Sequence, residues 1–309
     1  MHSALLALLL FVSNERAGTV SVIDGRTLKV VDTIKVGVRP RGVQASRDGR
    51  RVYVAVSDSS QQTEGVGDAI VAIDAATRKI VARYAAGTDP EQFAISSDGK
   101  RLYSSNEDAG TASITDIANR KVLATLVVGI EPEGVGISRD DRWVYVTAET
   151  SNTVSAIDTK ARRVAASFMV DPRPRAVAFS PVAPRAYVTA EIGGTVSVID
   201  TTKHAVIDTI DLGDAKPVGV VVSPNGRRLY VANGHAGTVA IIDTATDRIL
   251  ASVPVGKRPW GIAVSPDGKY VYTANGASND VSVIDVMTRR VIATIKAGDG
   301  PWGVAVVDR

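Results

Sequence analysis

Apolar residues along this chain fall into short runs separated by polar turns, and no stretch carries the longer period of a helix. In a representative segment the runs cover residues 261–265, 270–274, 280–285 and 290–297. The last run alternates apolar and polar positions, as a half-buried strand does. A Pro-Asp-Gly turn closes the first two runs into a hairpin, because Gly takes the left-handed position that a tight turn requires. The segment therefore predicts four antiparallel β-strands.

This four-strand unit recurs seven times. The clearest marker is an apolar strand that ends in Asp, at Asp24, Asp74, Asp116, Asp158, Asp200, Asp243 and Asp285. Successive spacings between these residues are 50, 42, 42, 42, 43 and 42. A Pro and an aromatic residue within an apolar triplet also recur once in each unit. Repeats of this length with four short strands are typical of propeller blades, so we predict an all-β, seven-bladed β-propeller with four antiparallel strands per blade.

The two ends of the chain are predicted to share one blade. The chain opens on a second strand around Phe11 that has no predecessor, and it closes on a first strand over 303–307 that has no successor. The closing blade is therefore expected to take one strand from the C-terminus and three from the N-terminus, which removes the open sheet edges. We assign residues 10–309 to a single propeller. Residues 1–9 are an apolar N-terminal segment, either a signal-peptide remnant or an extension of the first strand.

Composition fits this fold and excludes several kinds of site. Hydrophobic residues make up 45% of the chain with only four Phe and three Trp, and Val, Ile and Ala suit pleated strands. With no cysteine, disulfides, thiolate metal ligands and covalent haem attachment are excluded. The net charge of +3 arises from intermixed acids and bases, so we expect no nucleic-acid partner. The apolar N-terminal run is too short for a membrane span.

Residues present in all seven copies are expected to build the scaffold, and a local function is expected where the copies differ. The strand-end Asp residues are predicted to cap the following turns. Loops around the central channel, on one face, are the usual place for binding. The position after each Pro reads Arg41, Glu91, Glu133, Arg175, Val218, Trp260 and Trp302, and the position before it reads Arg39, Asp89, Glu131, Arg173, Lys216, Arg258 and Gly300.

These two rings predict a channel mouth with one acidic side, formed by Asp89, Glu91, Glu131 and Glu133. Basic blades flank this side, and two Trp residues occupy adjacent blades. The residues predicted to bind a protein partner or a small ligand there are Arg39, Arg41, Glu91, Glu131, Glu133, Arg173, Arg175, Arg258, Trp260 and Trp302. The alternative is that Arg and Glu of neighbouring blades pair while each Trp covers its own loop.

A third ring, at the end of each second strand, contains a possible set of metal ligands. Glu107, Glu149 and Glu191 occupy equivalent places in three consecutive blades, and carboxylate oxygens converging on a channel suit Ca²⁺ or Mg²⁺. Nearby Arg residues would compete with such an ion. We otherwise expect no cofactor, and we assign no catalytic residue.

Several segments resemble the YVTN β-propeller repeat family. They are residues 230–233 (YVAN), 195–200 (TVSVID) and 265–269 (SPDGK). Further segments look like the periplasmic propellers associated with pyrroloquinoline-quinone-dependent alcohol catabolism, namely 11–24 (FVSNERAGTVSVID), 89–93 (DPEQF), 129–134 (GIEPEG), 173–175 (RPR) and 301–304 (PWGV). The resemblance implies a periplasmic or secreted propeller that accompanies quinoprotein dehydrogenases. It does not imply that this chain binds the quinone, and it supplies no catalytic residues.

These observations favour a non-enzymatic binding or scaffolding propeller, accessory to an exported quinoprotein oxidation system and acting as a monomer. Two alternatives remain open. One is a lactonase-like hydrolase with a divalent ion at the channel mouth, and the other is a cell-surface or surface-layer adhesion module. Metal analysis and a lactone-hydrolysis assay would distinguish the hydrolase from the binding protein.

Overall fold

The short apolar runs form 28 β-strands in the part of the chain that a computed structural model describes, residues 8–57 and 67–308. They form seven four-stranded antiparallel sheets, each with its first strand nearest the central channel, and so confirm the predicted seven-bladed propeller. We number the blades I to VII, beginning with the blade that contains both chain ends.

Blades I to III contain the following strands, from the channel outwards. Blade I has β28 (Pro301–Asp308), β1 (Leu8–Asn14), β2 (Thr19–Asp24) and β3 (Lys29–Lys35); blade II has β4 (Val43–Ala45), β5 (Arg51–Val56), β6 (Ala69–Asp74) and β7 (Ile80–Tyr84); blade III has β8 (Phe93–Ile95), β9 (Arg101–Asn106), β10 (Thr111–Asp116) and β11 (Lys121–Val127).

Blades IV to VII follow the same order. Blade IV has β12 (Pro132–Ile137), β13 (Trp143–Ala148), β14 (Thr153–Asp158) and β15 (Arg163–Met169); blade V has β16 (Pro174–Phe179), β17 (Arg185–Ala190), β18 (Thr195–Asp200) and β19 (Ala205–Asp211); blade VI has β20 (Pro217–Val222), β21 (Arg228–Asn233), β22 (Thr238–Asp243) and β23 (Arg248–Pro254); blade VII has β24 (Pro259–Val264), β25 (Tyr270–Asn275), β26 (Asp280–Asp285) and β27 (Arg290–Lys296). A 3₁₀ turn, Gly213–Ala215, precedes blade VI. Residues 8–57 and 67–308 contain no helix with the length and apolarity needed to cross a lipid bilayer.

The closing blade is built as predicted, with one C-terminal and three N-terminal strands. β28 pairs antiparallel with β1, so that Leu9 lies opposite Val307 and Phe11 opposite Ala305. Every residue of β1 is buried, since this strand is covered on both faces by neighbouring blades. The ring is thereby closed by backbone hydrogen bonds between the two ends of the chain.

The hydrophobic core lies between blades rather than within them. One cluster joins Phe11 and Val22 of blade I to Val54 and Val71 of blade II. Second and third strands are buried on both faces, whereas an outer strand such as β15 alternates exposed and half-buried positions. Only the outer strands therefore show the simple period of two that a half-solvated strand requires.

The strand-end Asp residues cap the following turns in all seven blades, which confirms that they belong to the scaffold. In blade VII, for example, Asp285 accepts hydrogen bonds from the backbone N–H of Thr288 at 2.7 Å and from its hydroxyl at 3.0 Å. These bonds satisfy turn groups that no strand partner reaches.

Candidate binding site at the channel mouth

The loop before each blade places one ring of side chains inside another. The seven residues that precede the repeated Pro all adopt left-handed backbone conformations, with φ between 42° for Arg39 and 67° for Gly300. The residue after the Pro is the more enclosed of the two: Glu91 and Glu133 are buried, whereas Glu131 is exposed. Because the left-handed conformation recurs in all copies, it belongs to the blade-to-blade turn and not to one site.

Hydroxyl groups on the second strands hold the backbone of the inner ring, which consists of the residues that follow each repeated Pro. Ser105 donates a hydrogen bond of 2.7 Å to the carbonyl of Glu133 on the next blade, and Thr189 donates one of 2.6 Å to the carbonyl of Val218. The inner strands also approach closely here, since a Cβ on Gly134 would lie 2.3 Å from the Arg175 carbonyl oxygen. The backbone that carries the inner ring is therefore held rigidly by its neighbours.

Arg41 stands at the centre of a first ionic cluster, which spans three blades. Its Nε lies 2.8 Å from Glu15 on blade I, and its Nη1 contacts Glu91 and lies 3.7 Å from Glu107 on blade III. Glu15 was not among the predicted site residues, although it occupies the same position in the repeat as Glu107. We call this group the Arg41 cluster.

Arg175 is the centre of a second cluster, the Arg175 cluster. Its guanidinium contacts Glu133 and Glu149 of blade IV and lies 2.6 Å from Glu191 of its own blade. The Arg175 side chain is only 7% exposed, so the guanidinium at the centre of the three carboxylates is almost completely buried. Buried charged groups are tolerated only when each of them contacts a group of opposite charge.

The outer ring adds weaker pairs around these centres. Arg39 lies 3.2 Å from Asp89, and Arg173 lies 2.7 Å from Glu149 and 3.4 Å from Glu191. Glu131 accepts a short hydrogen bond from the Thr150 hydroxyl and is otherwise exposed. On the charged side of the mouth, most predicted binding residues therefore pair with one another, as the alternative interpretation of the sequence anticipated.

The aromatic side is organised differently. Trp260 and Trp302 lie with their ring centroids 5.9 Å apart, and the Arg258 guanidinium sits 4.9 Å from the centroid of Trp260. Arg175 approaches the same ring at 5.2 Å. Arg258 forms no salt bridge with any residue that the structure describes, which distinguishes it from Arg39, Arg41, Arg173 and Arg175.

Two cavities meet at the tryptophans. The mouth cavity, of about 270 Å³, is lined by both ionic clusters, by Arg258 and by the backbone of Gly276 and Gly300. A second space of about 460 Å³ runs down the channel between apolar residues of the inner strands. Trp260 and Trp302 line both spaces and so form part of the boundary between them.

Burial and crowding of like charges change the acidity of two mouth carboxyls. Burial, followed by the charge of Asp89, raises the pKa of Glu107 to about 7. Burial also raises the pKa of Glu133, against the opposing effect of the Arg175 charge. The carboxylates around Arg175 in turn outweigh its burial and raise its pKa further above the ordinary value. The mouth therefore has carboxyls that titrate near neutrality beside guanidiniums that stay charged.

The three predicted metal ligands do not converge on one point. Glu149 and Glu191 bind Arg175, and Glu107 belongs to the Arg41 cluster. A different trio, Asp89, Glu91 and Glu107, brings one oxygen from each residue within 4.8 Å of the others and could hold a cation. Arg39 and Arg41 already contact these carboxylates, so an ion there would compete with two guanidiniums.

Comparisons with protein families match each half of the chain separately. The family described as the choice-of-anchor I domain matches residues 8–170, which is more than half of the chain. The family described as the cytochrome D1 heme domain matches residues 185–303. No curated protein matches the chain.

Solved structures of diverse origin share the fold. Hydrazine synthase of Kuenenia stuttgartiensis is 23% identical over 86% of this chain and 89% of its own, with a TM-score of 0.74. A functionally unknown protein of Desulfotomaculum acetoxidans is 16% identical over 97% and 99%, with a TM-score of 0.83. A candidate 6-phosphogluconolactonase of Bacteroides fragilis is 20% identical over 98% of both chains, with a TM-score of 0.77. At these identities the similarity shows the fold alone.

Proposed function

The chain belongs to the choice-of-anchor I domain family, and on that premise we propose that it is a non-enzymatic binding propeller whose channel mouth holds a protein partner or a small ligand. A propeller fold does not by itself specify a function, so the proposal depends on the mouth. A closed ring of blades keeps the mouth loops rigid, and a rigid surface loses little entropy when it binds.

The asymmetry of the mouth carries this proposal. In the Arg41 and Arg175 clusters the arginines are already engaged, since each guanidinium lies against three carboxylates. Arg258, in contrast, is exposed, has no carboxylate partner among the described residues and lies over Trp260 beside the mouth cavity. Trp and Arg are the residues most often found at the centre of binding surfaces, so Arg258, Trp260 and Trp302 are the proposed anchors. A partner with an acidic group next to an apolar one fits them.

The proposed setting is the periplasm or the cell exterior, where the chain would accompany a quinoprotein oxidation system. The similarity of segments 11–24, 89–93 and 301–304 to propellers of that group supports this setting. A role in surface adhesion is supported only by the general similarity to YVTN repeats. The three segments named above do not support it.

Affinity capture from the native host tests the proposal. We expect Trp260→Ala and Arg258→Glu to lose partners or ligands that the unmodified protein retains. Each substitution should lower affinity about 30-fold or more, since hot-spot residues contribute about 2 kcal/mol or more. The matched control is Arg290→Glu, which makes the same charge change at an exposed position where β27 begins, on the opposite face. Identical capture by all four proteins would show that the mouth is not the binding surface.

A hydrolytic function is the second candidate, and the close approach of Asp89, Glu91 and Glu107 is the observation that favours it. Stoichiometric Ca²⁺ or Mg²⁺ in the purified protein, together with lactone turnover that Glu107→Gln abolishes, would replace the binding proposal. We expect neither metal nor turnover.

A further inference from the structure

A cleft between blades II and III opens on the face opposite the channel mouth, and three of its arginines have no carboxylate partner. We call it the II/III cleft. It has a volume of about 520 Å³ and is lined by the hairpin turns of both blades. Arg47, Arg51 and Arg120 line it, and their guanidinium groups form no salt bridge within residues 8–57 and 67–308. Volumes of this size accommodate small organic ligands.

The preceding blade interface shows which partner Arg120 lacks. Between blades I and II, Arg78 reaches back to Asp32, with 3.4 Å between Nη1 and Oδ2. Arg120 occupies the same place one blade later, and both residues adopt the left-handed conformation, with φ values of 60° for Arg78 and 53° for Arg120. Each follows its strand-end Asp by four residues. The two arginines are therefore presented in the same way.

Ala82 stands where the partner would be. In blade I, Asp32 lies opposite Val22 in the sheet, and in blade II Ala82 lies opposite Ala72 at the equivalent position. The exchange of a carboxylate for a methyl group leaves Arg120 unpaired and leaves open space beside it, since Ala82 itself lines the cleft.

Arg51 is a second arginine of the cleft that lacks the partner its equivalent has in another blade. It lies opposite the strand-end Asp74 in the sheet, but it forms no salt bridge with it. In blade III the equivalent residues, Arg101 and Asp116, do pair, at 2.7 Å. The II/III cleft therefore collects two arginines that are neutralised at other positions of the ring.

The two acids of the cleft are already engaged. Asp48 accepts a hydrogen bond of 2.6 Å from the Ser46 hydroxyl, and Asp98 accepts one of 2.7 Å from Ser96. Asp98 also lies 3.4 Å from the Lys100 ammonium. These turn contacts lower the pKa of both carboxyls, so they remain charged but hydrogen-bonded within their own turns. Positive charge is therefore in excess in the cleft.

We infer that the II/III cleft binds a small organic oxyanion, with phosphate or carboxylate oxygens on the arginines and an apolar or aromatic body on the opposite wall. Arg47, Arg51 and Arg120 supply planar donors that suit such oxygens. Val81, Ala82, Tyr84 and Ile117 supply the apolar wall. This site is separate from the channel mouth, so the inference does not depend on the proposed partner binding.

Calorimetric titration at constant ionic strength tests the inference, with phenyl phosphate, phthalate and inorganic phosphate as probes. We expect saturable binding, tightest for an aromatic probe, and the ratio of phenyl phosphate to phthalate affinity assigns the oxyanion to phosphate or carboxylate. Arg120→Ala should weaken binding at least tenfold. Ala82→Asp should abolish it, because the new carboxylate would pair with Arg120 as Asp32 pairs with Arg78.

Two controls keep the test specific. Arg162→Ala removes the equivalent arginine one blade later, where Arg101 is already paired with Asp116, and should leave the affinity unchanged. Trp260→Ala alters the mouth and the channel but no residue of the II/III cleft, and should also leave the affinity unchanged. The inference is overturned if no probe binds saturably, or if Arg162→Ala weakens binding as much as Arg120→Ala does. Melting curves of each variant exclude loss through unfolding.

Discussion

Individual charged residues at the mouth differ in how strongly they depend on their partners. Arg175 is 7% exposed and contacts three carboxylates, whereas Arg39 is 30% exposed and lies 3.2 Å from its nearest carboxylate partner, Asp89. Removing one partner from a buried group leaves uncompensated charge, which costs far more than the loss of an exposed pair. Loss of an arginine is therefore expected to cost more stability in the inner ring than in the outer ring.

Replacing Arg175 by Leu should lower the free energy of unfolding by about 3–5 kcal/mol at neutral pH, because the buried Glu133 would lose its guanidinium. Glu149 and Glu191 would keep only the more exposed Arg173. Urea denaturation of the purified variant measures this loss. The matched control, Arg39→Leu, should cost about 1 kcal/mol or less. Equal losses for the two variants would mean that Arg175 is not the centre of its cluster.

Glu107 should make stability depend on pH near neutrality. Its pKa is raised to about 7 in the folded protein, whereas the pKa of an unfolded Glu is about 4.3. Between these values the folded protein holds a proton that the unfolded chain releases, so this contribution to stability is present at low pH and is lost as the pH rises through about 7. Glu107→Gln should therefore make the melting temperature depend less on pH between pH 5 and 8. At pH 8 the variant should melt at a higher temperature than the unmodified protein. Glu131→Gln, at an exposed position, should leave the profile unchanged.

At the scale of strands and loops, local signals predicted the elements well. The run 280–285 coincides with β26, and 290–297 differs from β27 by one residue. Alternation, turn chemistry and the strand-end Asp all act between near neighbours, so the sequence reveals them directly. Two inner strands, Val43–Ala45 and Phe93–Ile95, are only three residues long, which their apolar pattern does not distinguish from the longer inner strands of the other blades.

The mouth was predictable as a ring of positions but not as a set of contacts. Repeat spacing placed Arg41, Glu91 and Arg175 on one face, since equivalent residues of a repeat occupy equivalent places. Which carboxylate each arginine reaches depends on side chains that cross from blade to blade, as in the contact between Arg41 and Glu15. Such distances follow from the radius of the ring and from close approaches like that at Gly134. Neither is encoded in local patterning.

At the scale of the whole molecule, a closed ring shares its stability among all blade interfaces. Among the seven sheets of the described residues, the sheet of blade I is the one whose strands come from two distant parts of the chain, and we call the pairing of β28 with β1 the seam. β28 lies between β1 and the channel, and its Val304, Ala305 and Val307 side chains are buried. Core clusters on both sides of blade I include residues of β28, since Val304 packs towards blade VII and Val307 towards blade II. Loss of this strand would therefore open two interfaces as well as a sheet edge.

Deleting residues 301–309 should consequently lower the free energy of unfolding by more than about 4 kcal/mol, because burial of each Val contributes about 1.5–3 kcal/mol and Trp302 is lost with them. Differential scanning calorimetry measures the shift. A circular permutant offers the matched control: Asp308 lies opposite Leu8 in the sheet, so a short polar turn can join them, with new ends opened between blades VII and I. That protein retains every strand and should melt near the unmodified temperature. If the deletion melts there too, the seam does not close the ring, whereas a destabilised permutant would show that the order of the chain, rather than the presence of β28, holds blade I together.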